Sequence, residues 1–185
     1  MNNQKYLALI ILLTPLLVIS LSTLTFYLGY KPTSSNNNGD LIIPQIDTED
    51  LSLLDVEGET FSFAPGKWYL VHFDDFQNIT FSLDRYKLAT SLKLTLPRES
   101  HRLRRVVVYK DIELFERAAD LKDLFPEVIF LYDKNNLFEK RISAQLNNPY
   151  FSKSMFLIDS FSNVMEEFNL SLTFNEIFED LKVLL

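Results

Sequence analysis

Residues Trp68 to Leu96, WYLVHFDDFQNITFSLDRYKLATSLKLTL, constrain the fold more than any other stretch. Trp68 to Phe73 is a short apolar run of aromatic and branched side chains, bounded upstream by Pro65-Gly66, and reads as a buried strand. A polar loop, Asp74 to Thr80, follows it. Leu88, Leu92 and Leu96, with Leu83 ahead of them, then recur at helical spacing. Many redox and ligand sites are built on such a strand, loop and helix, so the content of the loop matters.

Around this unit the pattern alternates. Leu51 to Leu54 and Thr60 to Phe63 flank Asp55-Val-Glu-Gly-Glu59, a hairpin in which Gly58 supplies the positive φ of a tight turn. Arg104 to Tyr109 is a second buried strand, and Asp111 caps a helix that ends at Pro126. Glu127 to Tyr132 is a third strand, and Asn135 to about Gln145 a short helix. Ser154 to Asp159 and Val164 to Phe168 form a terminal strand pair around Ser160-Phe-Ser-Asn163. Thr173-Phe-Asn-Glu176 is a capping box for a last helix with Phe174, Ile177, Leu181 and Leu184 as its buried stripe. Strands alternating with helices, closed by a hairpin, predict an α/β domain with parallel strands in the centre and antiparallel ones at the edge.

Tyr6 to Tyr30, YLALIILLTPLLVISLSTLTFYLGY, is almost uninterrupted apolar sequence. Roughly 20 such residues cross the ~30 Å hydrocarbon core, so one transmembrane helix is expected. A cleaved signal peptide is the rival reading, but the stretch is long for one and no small-x-small site follows. The expected division is an anchor over 1–30, a linker over 31–44 that opens with KPTSSNNNGD, and a domain over 45–185. Lys5 and the α-amino group on one flank lean the orientation to amino terminus in and domain out.

The formal net charge of −7 argues against nucleic acid, which needs a concentrated cationic surface. With four glycines a phosphate-cradling loop is not expected. No nucleophile and base pair at catalytic spacing, and so no enzyme, is visible. There is no cysteine, which removes disulfides, thiol redox chemistry and thiolate metal sites.

The element order resembles the thioredoxin-like Sco/SenC-type cytochrome c oxidase assembly proteins, in particular short bacterial ones with a single anchor. The likeness rests on Gly39-Asp-Leu-Ile-Ile-Pro44, Asp55-Val-Glu-Gly58-Glu-Thr-Phe61, Gly66-Lys-Trp-Tyr-Leu-Val-His-Phe73 and Met155-Phe-Leu-Ile-Asp159-Ser-Phe-Ser-Asn163-Val-Met165. It implies a thioredoxin-like domain, with a central mixed sheet flanked by helices, behind one amino-terminal membrane helix. It also implies a bacterial inner-membrane protein with its domain in the periplasm, and an oxidase subunit or assembly factor as partner. In that family a C-x-x-x-C loop and a distant His hold copper. The matching positions here are Gln77, Phe81 and Phe151, none of which supplies the family's ligands. The expectation is a degenerate site with no cofactor, acting by contact.

Three groups of residues are candidates for a remaining role. His72 with Asp74, and Asp75 beside them, is the alternative: a divalent metal site outside the family pattern. Phe76, Tyr150 and Phe151 edge the lost site and would suit a protein interface if exposed. Arg102 and Arg104, with Arg98, His101 and Arg105, form a basic cluster suited to an acidic partner or lipid head groups, or else a solvated loop.

Overall fold

The computed structural model describes residues 2–27, 37–96 and 101–185. The chain divides into two units, residues 1–36 and 37–185. Tyr30, Lys31 and most of the linker expected after them, together with Arg98, lie outside the described residues.

The first unit contains α1, Asn2–Tyr27, with Pro15 inside it. Hydroxyls turn back onto its backbone: Thr14 donates to Ile10 O (2.7 Å), Thr23 to Ile19 O (2.8 Å) and Thr25 to Ser22 O (2.8 Å). These bonds hide the only polar atoms of those side chains, as an apolar helix requires. Many of its apolar side chains, Leu12 and Ile19 among them, are exposed. Among the described residues no helix is long and apolar enough to cross a membrane.

The second unit is an eight-stranded sheet in the order β1-β8-β7-β4-β5-β6-β2-β3. In chain order the strands are β1 (Asp40–Asp47), β2 (Leu53–Leu54), β3 (Thr60–Phe61), β4 (Trp68–Phe73), β5 (Leu103–Tyr109), β6 (Val128–Tyr132), β7 (Met155–Ile158) and β8 (Asn163–Phe168). The helices are α2 (Ile79–Thr95), α3 (Ile112–Arg117), α4 (Ala119–Leu124), α5 (Leu137–Ser143), α6 (Pro149–Ser152) and α7 (Phe174–Leu184). β4, β5 and β6 run parallel, while β7, β8 and β1 add antiparallel on one side and the β2–β3 hairpin on the other.

β4 is central and all six of its side chains are buried. Tyr69, Val71 and Phe73 pack on one face of the sheet with Phe138, Ile142 and Phe156. Trp68 and Leu70 pack on the other with Leu92, Ile177 and Leu181, beneath α2 and α7. Truncating a fully buried ring such as Phe73 typically costs about 3–5 kcal/mol. The Thr173–Glu176 capping box starts α7 as the sequence requires.

Four details differ from the sequence reading. Residues 40–44, assigned there to the end of the linker, form half of β1, because Asp40 and Leu41 pair with β8. The helix after Asp111 is two short helices broken at Ala118, whose N–H turns back to Leu114 O and Phe115 O. α6 was not expected; Asn148 caps it and Pro149 fills its first turn. On α2, Leu92 and Leu96 are buried, whereas Leu83 and Leu88 are half-exposed and Ser82, Arg85 and Tyr86 are buried in their place.

Candidate functional site

The end of β4 turns into the loop over Asp74. The Asp74 N–H donates to Val108 O at 2.9 Å, which extends the β5 pairing by one residue. The Asp74 carboxylate, 3 % exposed, accepts from Phe76 N–H at 2.8 Å and from the Tyr86 hydroxyl at 2.7 Å. Phe76 adopts a positive φ of 53°. That turn sends its ring inward against Tyr109 and Phe115, at centroid distances of 5.9 and 5.6 Å. Gln77 is exposed, and Asn78 then caps α2 by accepting from Phe81 N–H at 3.1 Å.

His72 lies beneath this loop and is buried. Its ring faces Phe81 at 6.3 Å and Tyr86 at 6.2 Å, and neither imidazole nitrogen has a hydrogen-bond partner. Burial pushes its pKa down to about 4; Arg85 and Lys153 push the same way, while Asp74 and the Ser154 main chain oppose them. The imidazole is therefore neutral at ordinary pH.

The second half of the site comes from the junction of α6 and β7. Lys153, at φ 54°, donates to Asp75 at 2.9 Å, and its own carbonyl accepts from Arg85 Nη2 at 3.1 Å. Burial pushes the Asp75 carboxyl up, but the Lys153 ammonium and the backbone N–H bonds together outweigh it, and the net shift is downward. Burial lowers the Arg85 pKa to about 10. The Asp75–Lys153 pair thus clasps the loop after β4 to the start of β7.

The structure sorts the candidate residues. Phe76 and Tyr150 are buried, at 5 % and 3 % exposure, and cannot line an interface; Phe151 is 87 % exposed and can. Tyr150 packs on Phe73 at 5.3 Å, and the Lys110 ammonium sits 4.3 Å over its ring. Arg102 and Arg104 belong elsewhere. In the parallel register Arg104 faces Tyr69, at the start of β4, whereas Phe76 and Phe151 belong to its far end. The surface expected from Phe76, Tyr150, Arg102 and Arg104 is therefore not one patch. Arg105 is buried, bonded to the Thr90 hydroxyl and paired with Glu127 at 3.0 Å.

Phe81, in the first turn of α2, is half-buried over His72. Among the described residues no three His, Cys, Asp or Glu side chains are grouped to hold a metal. His72 and Asp74 come from the same strand end, but the Asp74 oxygens are engaged by Tyr86 and Phe76. Four contributors escaped the sequence reading: Arg85, Tyr86, Lys153 and Ser154. Ser82, Arg85 and Tyr86 share one helical face with Leu92 by their i, i+3, i+4 spacing, so a polar stretch of buried face was open to notice.

No protein-family profile matches the chain, and no curated protein matches it in sequence. Solved structures do resemble it. BsSco, a member of the Sco family of cytochrome c oxidase assembly proteins, superposes with a TM-score of 0.57 at 14 % identity, over 76 % of this chain and 94 % of that one. Copper-bound ScoI of Bradyrhizobium japonicum gives 0.53 at 16 % identity, over 80 % and 99 %. A thioredoxin-like protein of Porphyromonas gingivalis gives 0.56 at 19 % identity, over 72 % and 88 %. At such identities the likeness speaks for the fold: residues 37–185 form a thioredoxin-like α/β domain.

Proposed function

We propose that this chain is a membrane-anchored accessory protein that assists assembly of a respiratory cytochrome c oxidase by protein contact, without thiol or copper chemistry of its own. The observation that carries this reading is the Asp75–Lys153 clasp at 2.9 Å, in a cysteine-free chain whose fold matches Sco-type assembly proteins. A charge pair joins the two segments where the Sco-type pattern has its ligands. The exposed Phe151 beside the clasp supplies an apolar contact. The apolar run Tyr6 to Tyr30 supports a single-pass anchor in a bacterial inner membrane, with the domain on the periplasmic side.

Affinity capture of the full chain from detergent-solubilised membranes tests this reading. Recovery of an oxidase subunit or assembly factor, reduced in Phe151→Ala, is expected. Recovery of neither would overturn it. A metal held by His72 and Asp74 is the second reading, favoured by the two unpartnered imidazole nitrogens. Titration with copper and zinc separates the two: submicromolar binding abolished by His72→Ala would establish the metal site in place of pure contact.

A further inference from the structure

A second buried polar cluster lies where the chain enters the domain. Glu166 of β8 is 0 % exposed, and Asp180 of α7 is 4 % exposed. Both carboxylates are turned to the segment Asn37–Gly39. Asp180 accepts from the N–H of Asn38 and of Gly39, each at 2.8 Å, and from the Asn38 side chain at 3.0 Å. Asn38 also donates to Glu176 O at 3.2 Å. Glu166 Oε1 accepts from Asn37 Nδ2 at 2.9 Å, while its Oε2 is buried with no partner. Gly39 sits so close over the carboxylate that a Cβ there would lie 2.9 Å from Glu166 Oε1 and 2.7 Å from the Phe168 ring. The segment is thus the cover of a carboxyl group that has one hydrogen bond and is shut off from solvent.

We propose that Glu166 is a proton-operated latch: its neutral form lets Asn37–Gly39 dock, and its charged form loosens that segment from the domain. The geometry gives the reason. A carboxylate needs several donors or a base when water is excluded, and here one oxygen has neither. Releasing the segment would return water to it. The charges that bear on Glu166, Asp180 of α7 and Asp40 of β1, are both acidic and oppose its ionisation. Burial is the largest cause, and together they push its pKa up to about 7 against the bond from Asn37. Docking is therefore strongest in mild acid and weakens as pH rises through neutrality. The physical consequence is how far residues 37–39 can move from the domain. Each residue released adds ~3.3–3.6 Å of reach, so three residues add roughly 10 Å.

Hydrogen-exchange mass spectrometry on the full chain in detergent tests the proposal, read on peptides spanning residues 37–41 and corrected for the intrinsic effect of pH. The protection of these amides is expected to fall on the order of 50-fold between pH 5 and pH 8, while peptides of β4 stay protected. Glu166→Gln keeps the neutral form at every pH and is expected to hold protection level across that range. Gly39→Ala, which changes no titrating group, is expected to lose protection at both ends of it. Constant protection in the unmodified chain would overturn the latch. So would the same fall in Glu166→Gln, or loss of protection in that variant at pH 5.

Discussion

The two buried polar clusters are built on opposite terms. Around His72 the carboxylates of Asp74 and Asp75 are answered by a phenol, backbone N–H groups and the Lys153 ammonium. Around Glu166 the neighbouring charges are acidic, and what Asp180 and Glu166 receive is backbone and amide N–H from three consecutive residues. The first cluster is cross-linked by opposite charge and holds two segments in fixed register. The second depends on protonation. Burial alone does not decide whether a polar cluster is rigid or responsive; the sign of the charges facing it does.

The largest test of this contrast is Asp74→Ala. It leaves the Tyr86 hydroxyl and Phe76 N–H buried without an acceptor and is expected to cost about 3 kcal/mol in chemical denaturation. A loss below about 1 kcal/mol would mean that the cluster is not cross-linked as described.

The next test uses pH, because the two clusters respond with opposite signs. His72 is held at about 4, below its ordinary 6.5, so the folded state takes up fewer protons. Its contribution is complete above pH 6.5 and is lost as pH falls toward 4. Glu166 is held at about 7, above its ordinary 4.5, so its contribution is complete below pH 4.5 and is lost as pH rises through 7. Each amounts to roughly 2–3 kcal/mol. Between pH 4.5 and 6.5 they largely cancel in the unmodified chain. Replacing His72 by Leu is expected to leave a stability that declines with rising pH, and Glu166→Gln one that increases with it. Denaturation midpoints of the two variants across pH 4.5–8 would show the same slope if the contrast were wrong.

Smaller effects follow at the clasp and beside it. Asp75→Asn weakens a pair whose side chains are about a quarter exposed, and a cost of about 0.5 kcal/mol is expected in a denaturation series. Phe151→Ala should leave stability within about 0.5 kcal/mol, since the ring is almost fully exposed. Capture of an oxidase component is the readout in which that change is expected to appear.

The first cluster was partly legible in the sequence and the second was not. β4, the start of α7 and the turn at Gly58 were written in local signals: an apolar run, a capping box and a glycine, now seen at φ 84°. His72 and Asp74 were found because they end a recognisable strand. The inward turn of Phe76 was hidden because it depends on a positive φ at a non-glycine residue, which no spacing rule announces. The burial of Tyr150 was hidden because its helix has four residues, too few for a period to show. Glu166 reads as one more acidic residue in Met165-Glu-Glu-Phe168. Its meaning depends on residues 129 positions away, and Asp180 meets Asn38 across 142.

The same entry segment also sets how the domain bears mechanical load. A pull on the chain ahead of residue 37 meets first the three hydrogen bonds to Asp180, and then β1, an edge strand held antiparallel to β8. Tension along β1 stresses its ladder in shear, so several bonds share the force. With Asn37–Gly39 docked, α7 takes the first of the load; with the segment released, β1 takes it directly. The ionisation of a single carboxyl group would thus decide which element of the domain takes the load first.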